Sequence, residues 1–488
     1  MHESGITAVR LTRLVPEEVL PVADTLGLRL FVDVPAAYRS ASALRDALPA
    51  LQDDIERIGA LAQRHPSLHA VGLAQNAATH QDATCDLLGT LAATVRRSAP
   101  ARLRSYYVTL FPPTHDRCTD RVDTVLVDLR GVDRPASRWS AWQAAHANVG
   151  VGAIGTWVDP EAARGLEVPH SVDRQARFLE THLPPLLRTA PVVLVSRWRD
   201  ARPLQPRRFG LHDAEGAMRP ALRVVRGLYT GRQTTFALPT GEAPSTSSHL
   251  VLMGWGVLVG MMLLYAQFPT VQRTAQRYFR AHVFYRDTVR EGRDVLPGFS
   301  AALVAQALCT LGMTVYVVGQ QAAAVPRSTW MLELTSGGVG DALATWLGAP
   351  WTAAGSVVAL TATAGGVWIV LLSGIAQRYG RFSLGQALML VAWPCWGALI
   401  GLLVVLILPT MATASWVIPS VLTGTVAASV AITFRIVRDY AAVTKVPPLV
   451  AGALALVSPL GGLMIGGSVV LWRADLPLAL LWDVLTYA

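Results

Sequence analysis

Between Arg381 and Arg435 the chain runs for 53 residues without one Asp, Glu, Lys, Arg or His. An uninterrupted apolar run of that length does not suit a soluble core. Because about 20 apolar helical residues cross a hydrocarbon layer of about 30 Å, it predicts two membrane spans, at 386–408 and 416–434, joined by a tight turn near 409–415. Four more stretches meet the same requirement, at 250–268, 299–320, 352–372 and 448–471, so the second half reads as an all-α bundle of six spans. Residues 1–250 hold 29 basic and 25 acidic side chains, whereas 251–488 hold 13 and 8. The sequence therefore divides into a soluble domain at 1–238, a polar linker at 239–248 (PTGEAPSTSS) and a transmembrane domain at 249–488.

Lys and Arg are retained on the cytoplasmic side of a membrane, and the loops here are sharply unequal. Those at 269–298, 373–385 and 435–447 carry eleven basic residues, against two, Arg327 and Arg473, in the alternate loops and the tail. This asymmetry predicts an integral protein of a bacterial inner membrane with residues 1–248 extracytoplasmic. The segment 271–295 mixes Arg with Tyr278, Phe279, Phe284 and Tyr285, which suits either a helix lying on the inner membrane surface or an ordinary basic stop-transfer loop. No ionisable residue falls inside the six predicted spans, which argues against a proton- or ion-coupled transporter.

Other function classes recede on composition. The net charge of +9 does not gather into a basic patch with interleaved aromatics, so no nucleic-acid partner is expected. Four cysteines show neither a CxxC pair nor metal-ligand spacing with the eleven histidines, so no metal and no cofactor are expected, and a Cys85–Cys118 bridge is left open.

Residues 1–240 alternate short β-branched runs with amphipathic helical stretches, the pattern of a parallel α/β domain, either a barrel or a doubly wound sheet. Strands are predicted at 8–11, 29–34, 70–73, 105–110, 124–129, 150–155 and 191–196, with helices at 16–26, 41–64, 84–98 and 172–183. Seven strands are one short of a (β/α)8 barrel, whose sites lie at the C-terminal strand ends.

Four segments carry a resemblance. GITAVRLTRLVPEEVLPVADTLGLRLFVDVP (5–35) resembles the second and third strands of a clan A glycoside hydrolase barrel, closest to family 2, the β-galactosidase and β-glucuronidase group. RHPSLHAVGLAQN (64–76) resembles strand four, VGVGAIGTWVDP (149–160) strand seven, and VVLVSRWRD with FGLHDAEGAMRPALRVVRGLYTG (192–200, 209–231) the eighth strand and closing helix. The resemblance implies an α/β (β/α)8-type barrel lacking its first strand and the family's preceding β-sandwich domains. It further implies either a start codon assigned too late or a decayed gene, and the first ten residues show no export signal. The last five spans, with the run RFSLGQALMLVAWP (381–394), resemble a Yip1-type membrane bundle.

Clan enzymes place an acid/base carboxyl on strand four and a nucleophilic carboxylate on strand seven. The matched positions here hold Asn76, preceded by Gln75, and Ala153, so neither role can be filled. Arg10 matches the family's strand-two arginine and Trp198 its sugar-platform tryptophan; with Asp33 and Trp157 they complete the candidate ligand site. Two plainer roles stand beside these: Arg10 closing the barrel through an ion pair with Asp33, and Trp198 capping the core. The leading reading is a membrane-anchored, catalytically inactive barrel that binds a saccharide or another cell-surface ligand, or serves only as an extracytoplasmic interaction module; without the nucleophile's carboxylate, Arg10 is also a candidate to hold an acidic ligand. The alternatives are an active glycosidase using displaced carboxylates, with Asp82, Asp86, Asp159 and Glu161 the nearest candidates, and a membrane-organising bundle carrying a vestigial barrel.

The basic asymmetry predicts that a membrane-impermeant thiol reagent labels a cysteine introduced at 239–248 in intact cells and spares one introduced beside Arg290. Labelling in the reverse pattern would place the barrel in the cytoplasm.

Overall fold

A computed structural model describes residues 2–36, 40–132, 134–200, 208–242, 249–324, 349–407, 417–473 and 482. The turn expected at 409–415, Arg327 and most of the 239–248 linker lie outside them. The described chain forms two compact units, one within residues 1–245 and one within 246–486.

The first unit is a seven-stranded, all-parallel sheet curled into a near-closed barrel: β1 (Ala8–Leu11), β2 (Arg29–Asp33), β3 (Leu68–Gln75), β4 (Arg104–Thr109), β5 (Thr124–Arg130), β6 (Val149–Gly155) and β7 (Val193–Val195). Each strand pairs with the next, and β7 comes back beside β1 without a ladder among the described residues. The helices are α1 (Val19–Thr25), α2 (Ala41–Arg64), α3 (Asp82–Ser98), α4 (Pro135–Ala145), α5 (Val172–Thr189) and α6 (Pro220–Tyr229). Parallel strands need such crossovers, and both strand faces are then buried. The outer face packs Val32, Val71, Val127, Val151 and Ile154 against Leu44, Ile55, Leu88, Leu179 and Leu183 of the helices. The inner face closes over Phe31, Ala70, Tyr106, Val108, Leu126 and Leu194.

Between β4 and β5 no helix intervenes. The connection is instead tied to the start of α3 by the Cys85–Cys118 disulfide and to the turn after β3 by a buried carboxyl. Asp116 accepts hydrogen bonds from Tyr107 Oη (2.6 Å), Thr79 Oγ1 (2.9 Å) and the Cys118 amide (3.1 Å). Burial raises the Asp116 pKa against the pull of these donors.

In the second unit five helices are long and apolar enough to cross a membrane: α7 (His249–Gln267), Pro297–Gly319 of α10 (Pro297–Ala324), α11 (Pro350–Gln377), the composite Leu384–Ile407, and Ser420–Thr444 of α14 (Val417–Thr444). The composite joins α12 (Leu384–Ala392) to α13 (Gly397–Ile407) through a 3-10 turn at Trp393–Trp396, where Pro394 removes a backbone donor. α15 (Pro448–Leu456) and α16 (Pro459–Arg473) would make a sixth span only as a pair bent by 62°. Two amphipathic helices, α8 (Pro269–Arg280) and α9 (His282–Glu291), fill the first basic loop. α8 buries Val271, Thr274, Ala275 and Tyr278, the spacing of one helical face.

α14 continues helically past 434, where the predicted span ends, and carries Arg435, Arg438 and Asp439 on that continuation. Asp439 is buried and lies 2.9 Å from His282 Nε2, 3.3 Å from Arg435 Nε and 3.8 Å from Arg286 Nε. Its charge is paired rather than exposed to lipid.

With Cys85 and Cys118 bonded and Cys309 and Cys395 free, unreduced denatured protein should take up two equivalents of maleimide and reduced protein four. Four equivalents before reduction, with protein prepared under oxidising conditions, would show that the β4–β5 connection is held by the Asp116 network alone.

Candidate functional site at the strand ends

Side chains alternate along a strand, so a residue two beyond an inward apolar one also faces the interior. Two residues beyond Ala8, Phe31 and Leu126 come Arg10, Asp33 and Asp128, which convert the interior from apolar to ionic toward the C-terminal strand ends. Arg10 donates to Asp33 through Nε (3.2 Å) and Nη2 (2.6 Å), and Nη2 also reaches Gln75 Oε1 at 3.2 Å. Tyr106 Oη donates to Asp33 Oδ1 at 2.6 Å. Burial is the largest influence and works against the Arg10 charge, but Asp33 and Tyr106 together outweigh it and the Arg10 pKa is raised. Glycine is required at position 72 for this layer to exist: a Cβ there would collide with Asp33 Oδ1 and stand 2.8 Å from the Tyr106 ring.

A second ion pair sits across the barrel. Asp128 accepts from Arg130 Nη2 (2.6 Å), Arg130 Nε (3.0 Å) and the Arg130 amide (3.1 Å), and from Asn76 Nδ2 at 3.4 Å. Burial alone would raise the Asp128 pKa; the Arg130 charge and these donors overcome it and hold the carboxyl at about 2. Arg130 also lies 6.0 Å above the Phe209 ring. Asn76 itself is in the left-handed region (φ 51°), which asparagine tolerates better than most residues, and its amide donates to Val108 O at 2.7 Å. The kink turns the chain out of β3 and leaves the carboxamide beside Asp128.

The structure thus brings Arg10, Asp33 and Gln75 into one hydrogen-bonded group and Asn76 into a second. Ala153 is buried on β6, in register with Asp128 of β5. Gly152 beside it has no room for a side chain, since a Cβ would lie 2.9 Å from Leu126 Cβ. Trp157 follows β6 and stacks on His170 with ring centroids 3.6 Å apart; Trp198 follows β7, packs partly on the core and lies 4.6 Å from the His212 ring. Of the displaced carboxylates, Asp82 and Asp86 are exposed on α3, facing Arg117 (3.3 Å) and Arg121 (3.7 Å). Asp159 accepts from the Glu161 amide at 3.0 Å in the loop after β6. Tyr106, Asp128 and Arg130 were not singled out in the sequence. The signal for the last two was an acidic and a basic residue, two apart, closing the run TVLVDLR of β5. Among the described residues no group of three His, Cys, Asp or Glu side chains could hold a metal ion.

No protein-family model matches the chain, and no curated protein does. Solved structures resemble just under half of it. A family 2 β-galacturonidase from Eisenbergiella tayi bound to galacturonate has a TM-score of 0.43 at 15% identity, covering 48% of this chain and 46% of that one. A β-D-glucuronidase from Dictyoglomus thermophilum gives 0.42 at 13%, over 48% and 46%. A β-glucuronidase from Ruminococcus gnavus in complex with D-glucaro 1,5-lactone gives 0.41 at 16%, over 46% and 44%. The chain spans less than half the length of each of these enzymes.

Because the Asp128 pKa is depressed in the folded state, its ion pair stabilises the barrel above the carboxyl's unfolded value, near 4, and the contribution is lost as pH falls toward about 2. Arg130→Gln should therefore cost roughly 2 kcal/mol at neutral pH, and its deficit relative to the parent should shrink steadily below about pH 4. Denaturant melts of both proteins followed by tryptophan emission check the sign. A deficit independent of pH would mean that Arg130 acts through packing.

Proposed function

We propose that residues 1–238 are a glycoside hydrolase-like barrel without hydrolytic activity, which binds a saccharide or other acidic ligand at its C-terminal strand ends, and that residues 249–488 anchor it in the membrane. The observation that carries this reading is the state of the carboxylates at the barrel mouth. Hydrolysis needs one carboxyl that can give a proton and a second that can attack or activate water. Asp33 and Asp128 are each clasped by an arginine, and Asp128 at a pKa of about 2 cannot act as an acid near neutrality. The positions that the sequence resemblance matches to catalysis hold Asn76 and Ala153.

What remains at the mouth suits recognition. Gln75, Asn76 and Arg130 offer hydrogen-bonding groups, and Trp157 and Trp198 offer aromatic surface near the same strand ends, the combination that orients a polar ligand. The Cys85–Cys118 bridge supports an oxidising, extracytoplasmic setting for the barrel, as does the excess of basic residues in alternate loops. The displaced-carboxylate reading is weakened by the exposure of Asp82 and Asp86 on α3. The Yip1-like reading rests on the sequence run alone.

The full chain in detergent should show no turnover of a panel of chromogenic β-glycosides while still binding immobilised acidic saccharides. Trp157→Ala or Arg130→Gln should weaken that binding about tenfold, the scale of one charge-assisted or stacking contact. Turnover by the unmodified protein that disappears in Asp159→Ala or Asp82→Ala would replace this reading with the displaced-carboxylate enzyme.

A further inference from the structure

A cavity of about 590 Å³ opens in the membrane unit where the end of α7, the basic helix α8 and the 3-10 turn of the composite span meet. Its volume falls in the range of about 300–1,000 Å³ usual for small-molecule sites. Its lining is mostly apolar, from Leu258, Met262 and Leu399 among others, and carries the cation Arg280. Arg280 is exposed on α8 with no carboxylate among the described residues in ion-pair range, whereas Arg277 of the same helix is paired with Asp294 at 3.0 Å. An apolar lining that carries an unpaired guanidinium has the polarity that matches one anionic lipid molecule: chain against Leu258, Met262 and Leu399, phosphate at Arg280.

We propose that this cavity is a binding site for one anionic phospholipid, of the leaflet that faces the basic loops. A soluble ligand is disfavoured because Met262 and Phe279, beside the cavity, are themselves exposed apolar side chains that a bilayer would cover. A headgroup alone would leave the apolar lining unused. Arg280 reaching a phosphate from the end of an amphipathic helix follows the general attraction of juxtamembrane basic residues to anionic lipid. The proposal rests on the membrane reading of this unit and is independent of what the barrel binds.

The test is native mass spectrometry of the full chain in detergent, titrated with phosphatidylglycerol or phosphatidylcholine. We expect one phosphatidylglycerol to be retained preferentially, about tenfold weaker in Arg280→Gln, the scale of one charge-assisted hydrogen bond. Met262→Trp, which fills the cavity from an exposed position, should weaken it comparably. Inorganic phosphate should not displace the lipid. Equal retention of both lipids with no effect of either substitution would overturn the proposal, as would displacement by inorganic phosphate, which would point to a headgroup-only anion site. Release of the chain from membranes by alkaline carbonate would instead refute the membrane reading itself, so the two failures are told apart.

Discussion

Burying a carboxylate in a barrel interior is tolerable only with a matched cation and with its remaining lone pairs occupied. This barrel meets that condition twice, through Arg10 with Tyr106 at Asp33 and through Arg130 with Asn76 at Asp128. Much else depends on it. Gly72 has to lack a side chain so that Asp33 can meet Tyr106, and the register of β1 through β4 is fixed around that contact. The same pairing that stabilises the mouth engages both of its buried carboxylates with arginines, so the stability of the strand ends and the protonation state of Asp128 have one cause.

The seven strands were legible because each is a short apolar run bounded by turn residues, and the seven predicted ranges fall on β1 to β7 with shifts of at most a few residues. The helix α4 was not read, since PASRWSAWQAA has little amphipathic contrast and is held by burial of Trp139 and Trp142. At the site, the Arg10–Asp33 pair was foreseen as the plainer role for Arg10, whereas the partnership of Asp128 with Asn76, 52 positions away, has no local signature. Sequence spacing also could not decide the Cys85–Cys118 bridge, because it depends on how the β4–β5 connection folds back on the start of α3.

In the membrane unit, hydropathy located the apolar helices, but a helix need not end where its apolar run does. The apolar run of α14 stops at the first arginine, while the helix runs on to Thr444 and pairs Arg435 with Asp439. Long side chains near a span end can reach outward while their stems stay in apolar surroundings. The loop helices α8 and α9 are likewise more than a topogenic signal: Gln386 Nε2 donates to Val289 O at 2.6 Å and Tyr285 Oη to Met389 O at 3.2 Å, binding α9 to α12.

The His282–Asp439 contact spans 157 residues of sequence. During synthesis α8 and α9 emerge long before α14, and until Asp439 arrives His282 Nε2 and Arg286 lack the carboxylate that they share in the folded unit. Closure of the bundle is therefore a late event, gated by the insertion of a helix near the end of the chain. A product terminated before α14 would carry α8 and α9 without the carboxylate that holds His282 and Arg286.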